Sequence, residues 1–88
     1  MFVPNLTGKS FDRNIFNGQG QEASITALNP VSLMFFFAGN IVVGTLTGTL
    51  DAVLYHGFTR GEWLPVEIIH EGSSYCGWVK HNEIDLAA

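Results

Sequence analysis

The chain has 88 residues and a formal net charge of −4, and 47% of its residues are hydrophobic while 14% are charged. This length predicts a single domain, and the four scattered Lys and Arg residues exclude the clustered basic surface that binding to nucleic-acid phosphates requires. The lone cysteine excludes an internal disulfide, so we expect this small, weakly charged chain to complete its burial in a homo-oligomer or a complex.

The first 22 residues differ in character from the rest of the chain. They are rich in Asn, Gly and Gln, and residues 18–20 are typical of a hinge. A disordered tail usually lacks so many aromatic residues, so we predict that residues 1–22 form an extended arm that docks on another protein or a neighbouring subunit. A frayed terminus is the alternative. The residues predicted to make the docking contacts are Phe2, Phe11, Ile15 and Phe16.

The stretch from 23 to 50 contains no Asp, Glu, Lys, Arg or His. A small membrane protein that spans the bilayer at 31–50 is one alternative, because this window has the length of a spanning helix. However, β-branched residues fall at every second position, which is typical of one face of a strand, and no Lys or Arg cluster flanks the window. We therefore predict strands and no membrane partner. The alternating residues are Ile41, Val43, Thr45, Thr47 and Thr49.

Three consecutive aromatic residues, Phe35, Phe36 and Phe37, place bulky side chains on both faces of one predicted strand. A two-layer domain of this size covers only one face easily, and exposing one Phe side chain forfeits roughly 2–3 kcal/mol. We therefore predict that these three residues lie at an interface with a partner protein. Arm residues that fold back over the strand would cover its second face equally well.

Turn signals recur about every 8 to 12 residues beyond the arm, which is typical of a sandwich or barrel. No segment has a 3.6-residue hydrophobic stripe, although residues 82–86 could form one helical turn. The sequence predicts an all-β domain over 23–88, either a small β-sandwich or an SH3-like barrel, behind the extended N-terminal arm. The predicted strands are 23–28, 31–37, 41–46, 49–56, 63–70 and 74–80.

The residues that could carry chemistry form no recognised site pattern. His70, Cys76 and His81 lack the close ligand pairs of zinc sites, even with His56 as a fourth candidate. Nothing supplies a nucleophile turn for Cys76, whose strand-like neighbourhood is typical of an inert core thiol. We expect no catalytic residue, no metal and no cofactor, and therefore a protein that is not an enzyme.

Residues 46–66, which include Trp63-Leu64-Pro65-Val66, resemble small β-domains of bacteriophage virion proteins. Those domains often carry a strand, a Gly- or Asp-rich hairpin and then Trp-x-Pro-Leu or Val. The resemblance implies a capsid-decoration, head-fibre or tail-accessory protein without enzymatic activity, located in the virion and in the host cytoplasm during assembly. Its expected partners are capsid or tail proteins or a second copy of itself, bound through the uncharged strands and the arm.

A second resemblance is to SH3-like barrels. Residues 52–56 are similar to the opening strand of that family, and residues 77–84 are similar to its closing strand and helical turn. This resemblance implies, as the alternative function, a module that binds a peptide or a cell-wall ligand in a groove formed by Tyr55, Trp63 and Trp78. The same aromatic residues could instead fill the core of a small barrel.

Overall fold

The structure is a computed structural model that describes residues 1–5, 19–36 and 40–87. Apart from two short 3-10 turns, His56–Phe58 and His81–Glu83, its elements are strands. The predicted all-β fold is confirmed. The strands are β1 Phe2–Pro4, β2 Gln21–Phe36, β3 Asn40–Leu54, β4 Trp63–His70, β5 Ser73–Lys80 and β6 Asp85–Ala87.

The longest element of the fold is the antiparallel hairpin of β2 and β3. These strands pair from Gln21 opposite Leu54 to Phe36 opposite Asn40. The uncharged stretch lies within this hairpin, so the described residues of the window 31–50 are strand and not a spanning helix. Over the part of the chain that the structure describes, no helix is both long enough and apolar enough to cross a membrane.

The strand breaks predicted at 29–30 and at 47–48 are wrong, because β2 runs through the first and β3 through the second. Residues 28–30 of β2, including Pro30, bulge opposite the single residue Thr47 of β3. A bulge accommodates proline because it leaves the proline nitrogen, which has no hydrogen to donate, outside the ladder. Gly48, beside the bulge, has a φ of 73°. The turn signals thus mark a bend in a continuous hairpin.

Four strands form a closed circuit. β3 pairs with β4 through Ala52 to Leu54, β4 pairs with β5 along its whole length, and β5 returns to β2 where Trp78 lies opposite Met34. This closure is the barrel-like form of the predicted architecture. The short strands β1 and β6 extend the sheet by pairing with β3 and β2 respectively.

The core lies inside this circuit, and strand alternation decides which residues face it. In β4 the even-numbered residues Leu64, Val66 and Ile68 are core residues, each at most 2% exposed. The odd-numbered residues of β4 therefore lie on the outer face of the barrel. The other strands contribute Ile25, Ala27, Val31, Leu33, Val43, Leu46, Ala52, Leu54 and Val79 to the same cluster, with Phe2 and Ile84.

Phe2 is one of these core residues, which corrects its predicted role in docking. β1 pairs antiparallel with β3, with Phe2 opposite Leu46, and the Phe2 ring centroid lies 4.9 Å from that of Tyr75. The side chain is 3% exposed, so it stabilises its own chain and offers no surface to a partner. The structure thus assigns residues 2–4 to the sheet. The other predicted docking residues of the arm, Phe11, Ile15 and Phe16, lie outside the described residues.

The C-terminal segment also differs from the prediction of a single helical turn at 82–86. The 3-10 turn covers His81–Glu83, and the chain then extends as β6. β6 pairs with the first half of β2, with Leu86 opposite Ile25. This pairing gives the backbone of β6 partners along an edge of β2 that the closing strand β5 does not reach.

Candidate interaction surface

The outer face of β4 and β5 brings together two aromatic residues of the C-terminal half, Trp63 and Trp78. Residues directly opposite each other in a sheet point to the same side, and Trp63 lies opposite Lys80 while Pro65 lies opposite Trp78. Phe36, at the end of β2, reaches the same region, since its ring centroid is 5.0 Å from that of Trp63 in an edge-to-face arrangement. Three predicted site residues, Phe36, Trp63 and Trp78, are thus brought to one end of the barrel.

Two cations lie over this aromatic group. The Lys80 Nζ is 5.4 Å from the centroid of the Trp63 ring, and the Arg60 guanidinium carbon is 5.9 Å from that of Trp78. Both distances are within the range of cation–π attraction, which is worth about 0.5–1 kcal/mol at exposed sites. The basic aromatic surface, as we call it, consists of Phe36, Arg60, Trp63, Trp78 and Lys80.

A tight turn before β4 positions Arg60. Its backbone N–H donates to the Trp63 carbonyl oxygen, and the Trp63 N–H donates back to the Arg60 carbonyl, each at 2.9 Å. Between them Gly61 adopts a φ of 57°, in the left-handed region that glycine adopts at little cost. The turn thus fixes the backbone of Arg60 beside the first residue of β4.

The basic aromatic surface holds the Lys and Arg residues of the described segments, since the other two of the chain, Lys9 and Arg13, lie outside them. Lys80 is 3.8 Å from the Glu62 carboxylate, a surface ion pair of the kind that contributes little to stability. Arg60 forms no ion pair within the segments 1–5, 19–36 and 40–87. The surface therefore carries positive charge on a chain whose net charge is negative.

A second, buried cluster lies further along the same outer face. Tyr55 is 3% exposed, Cys76 is inaccessible, and Glu67 is 1% exposed. The Tyr55 hydroxyl donates to the Glu67 carboxylate at 3.4 Å, a long hydrogen bond. Gly20 packs on this cluster so closely that a Cβ atom there would lie 2.2 Å from the side chain of Val53.

These burials correct the predicted ligand groove. Tyr55, Trp63 and Trp78 do share one face of the sheet, but Tyr55 lies beneath the surface and cannot line an open groove. The two Trp residues are half-buried. Of the predicted interface residues, Phe35 is half-buried against the core, Phe36 is 45% exposed, and Phe37 lies outside the described residues.

A cleft with a cavity volume of about 640 Å³ opens where the first half of β2 meets the end of β3 and β4. Its carboxylates come from Glu22, Asp51 and the buried Glu67, and its apolar wall includes Ile69, which is 63% exposed. The Ser24 hydroxyl donates to the Asp51 carboxylate at 3.4 Å. We call this feature the acidic cleft.

Sequence reasoning missed the acidic cleft, although a signal for it was present. Glu22 and Asp51 are the charged residues that bound the uncharged stretch. A stretch that folds back on itself as a hairpin brings its two ends together, and Ser24 indeed lies opposite Asp51 while Glu22 lies opposite Val53. Among the residues that the structure describes, no group of three or more His, Cys, Asp and Glu side chains is arranged to hold a metal ion.

A comparison of the chain with protein families, with characterised proteins and with solved structures finds no match. The basic aromatic surface and the acidic cleft are therefore the features from which a function can be inferred.

Proposed function

We propose that the protein is a non-enzymatic structural protein that binds another protein through the basic aromatic surface. The observation that carries the proposal is the exposure of Phe36, which is 45% accessible although it packs on Trp63. Contact with a partner would remove this apolar surface from water, at a gain of about 25 cal/mol per Å². Aromatic residues and Arg are also the residue types that dominate the energetics of protein interfaces.

We propose further that this partner belongs to a virion, either a capsid or a tail lattice. Support comes from the resemblance of residues 46–66 to small virion domains, since the Trp of the shared Trp-x-Pro pattern is Trp63, a member of the basic aromatic surface. The pattern and the exposed surface thus coincide in one residue. A non-enzymatic role agrees with the burial of Cys76, whose thiol is inaccessible to a substrate.

Replacing Trp63 with Ala tests this function. The variant loses the ring that Phe36 and Lys80 contact, so we expect at least a tenfold loss of affinity for the partner, since truncated interface hot spots cost about 2 kcal/mol or more. Co-sedimentation of the purified chain with capsids or tails of the virus that encodes it measures the affinity.

Phe58→Ala is the matched control, because Phe58 is 39% exposed and makes none of the ring contacts of this surface. It should bind as the parent chain does. Equal binding of the parent and the Trp63→Ala variant, with both proteins folded, would overturn docking through the basic aromatic surface. Absence of the parent chain from every particle fraction would overturn the virion role.

The alternative function is peptide binding by an SH3-like barrel, and the closed circuit of β2, β3, β4 and β5 favours it. With Tyr55 buried, the contacts would fall on Trp63 and Trp78. Chemical-shift perturbation with a proline-rich peptide distinguishes the two functions. Saturable shifts centred on Trp78, in a chain that does not bind particles, would favour the peptide module.

A further inference from the structure

The outer face of the barrel is charged with opposite signs at its two ends. β4 runs from Trp63, in the basic aromatic surface, to Ile69, in the acidic cleft, a distance of about 20 Å at the usual rise of a strand. One end is therefore positive and aromatic, and the other is negative and concave. The positive end of one molecule is therefore complementary to the negative end of another.

Three charged residues of these two ends, Arg60, Glu22 and Asp51, form no ion pair within the described residues. Arg60 has no ion pair there, and the cationic residues of the described segments do not reach Glu22 or Asp51 in an ion pair. Because Glu62 accompanies Lys80, the uncompensated charge of the basic aromatic surface is that of Arg60. A contact that joins the two ends would bring these charges into ion pairs that the described residues of one chain do not form.

We propose that the chain associates head to tail with a second copy of itself, the basic aromatic surface of one molecule docking in the acidic cleft of the next. This inference rests on the proposed function, and it names a second copy as a partner of the same surface. Arg60 approaches Glu22 and Asp51, and Phe36 packs on Ile69.

Charge selects this orientation over the others. A contact between two basic aromatic surfaces would oppose two Arg60 side chains, and a contact between two acidic clefts would bring together the carboxylates of Glu22 and Asp51. Like charges across an interface suppress such pairings. A head-to-tail contact uses two different patches. It forms a closed dimer if a two-fold axis makes both contacts at once, and otherwise a ring or a filament.

Two variants of the full chain test the contact. The head variant, which alters the basic aromatic surface, carries Arg60→Glu and Phe36→Ala. The cleft variant, which alters the acidic cleft, carries Glu22→Lys and Asp51→Lys. The four side chains are exposed, so the fold should survive, which circular dichroism verifies. We expect the mean mass of the parent chain, measured by sedimentation, to rise with concentration and to fall again at about 1 M salt, where the Debye length is about 3 Å.

Each variant alone should be a monomer, because each lacks one of the two patches. Their equimolar mixture should form a discrete heterodimer of twice the monomer mass and nothing larger, since each variant retains the patch that the other needs. A control that carries Glu83→Lys and Asp85→Lys changes the net charge as the cleft variant does but leaves the cleft intact. It should associate like the parent.

The outcomes separate this inference from the proposed function. A parent chain that is still a monomer at about 1 mM, or a mixture that forms no heterodimer, overturns the head-to-tail contact. In that case particle binding that depends on Trp63 would leave the proposed function standing. If the parent self-associates as described while no particle binds it, the virion role fails and the head-to-tail contact is retained.

Discussion

Gly44 is the residue where the packing of β1 against β3 leaves least room. A Cβ atom at this position would lie 2.3 Å and 2.5 Å from atoms of the Phe2 ring and 2.8 Å from the Val3 carbonyl oxygen. Separations below 3 Å are essentially never seen between a Cβ atom and a non-bonded neighbour, so any other residue here must shift the Phe2 ring or the backbone of β1. Glycine at this position is a consequence of the aromatic ring that lies over it.

We predict that Gly44→Ala lowers the free energy of unfolding by about 1–3 kcal/mol, the usual cost of overpacking a core. Urea denaturation followed by Trp fluorescence measures the change. Gly57→Ala is the matched control, because a Cβ there has open space within 4 Å. It should leave stability nearly unchanged.

Phe2→Leu provides a second comparison for the same site. The smaller side chain removes the ring atoms that would clash, so in the Phe2→Leu background the added methyl group at position 44 should cost less. A double-mutant cycle measures this coupling, which residues in contact show at about 0.5–3 kcal/mol. Strict additivity of the two substitutions would contradict the ring as the source of the constraint.

At the scale of elements, the hairpin of β4 and β5 is the part that the sequence describes best. Its predicted strands, 63–70 and 74–80, differ from the observed ones by one residue. Turn chemistry accounts for this accuracy. Glu71 and Gly72 have φ values of 51° and 82°, which is the two-residue type I′ turn that matches the twist of a hairpin.

We predict opposite effects of two substitutions in this turn. Gly72→Ala should lower the free energy of unfolding by about 1–2 kcal/mol, the cost of a left-handed conformation for an L-residue, whereas Glu71→Asn should raise it by up to about 1 kcal/mol, because Asn tolerates that conformation. Thermal or urea denaturation measures both. A Cβ at Gly72 would meet no atom within 4 Å, so a neutral Gly72→Ala would contradict the conformational explanation directly.

The β2–β3 hairpin shows where local signals mislead. Asn29-Pro30 and Thr47-Gly48 are typical of turns, yet they lie opposite each other in a bend of two continuous strands. Tertiary pairing overrides the local preference because the bulge provides a place where proline needs no ladder partner. Only the pairing of the strands distinguishes such a bend from a turn.

The candidate site was predictable in its aromatic residues but not in its charges. The run of Phe residues signals an uncovered face, and Phe36 is indeed exposed. Arg60 and Lys80 are scattered in the sequence, and they meet because the turn before β4 pairs Arg60 with Trp63 while β5 places Lys80 opposite the same residue. The register of the strands brings these residues together, and that register cannot be inferred from the positions of the charged residues in the sequence.

At the scale of the whole molecule, Cys76 reports on how often the packing that covers the outer face opens. The residue is inaccessible on the outer face of β5, so a thiol reagent must wait for the chain to open. We predict that labelling of Cys76 in the native protein is at least about a thousandfold slower than in the unfolded protein, given the usual stability of a folded domain. The labelling rate is measured from the absorbance of the thiolate that a disulfide reagent releases when it reacts with Cys76.

Ser32→Cys is the control for this measurement, because Ser32 is exposed on β2. In a Cys76→Ala background, the new thiol should react almost as fast in the native protein as in denaturant. Native Cys76 that reacts at the rate of the unfolded chain would show that the cluster with Tyr55 does not exclude solvent.

The closure of β5 on β2 has a consequence for how the chain folds. Met34 and Trp78 are the registered pair that completes the circuit, and β5 can approach so closely only because Gly77 lacks a side chain, since a Cβ there would lie 2.7 Å from the Met34 carbonyl oxygen. Pairing of these two residues closes the longest loop among the four strands of the circuit. The chain loses conformational entropy when this loop closes, and the stabilising contacts form only afterwards. The two hairpins can form early as local units, whereas the seam between β2 and β5 determines when the barrel becomes a single cooperative structure.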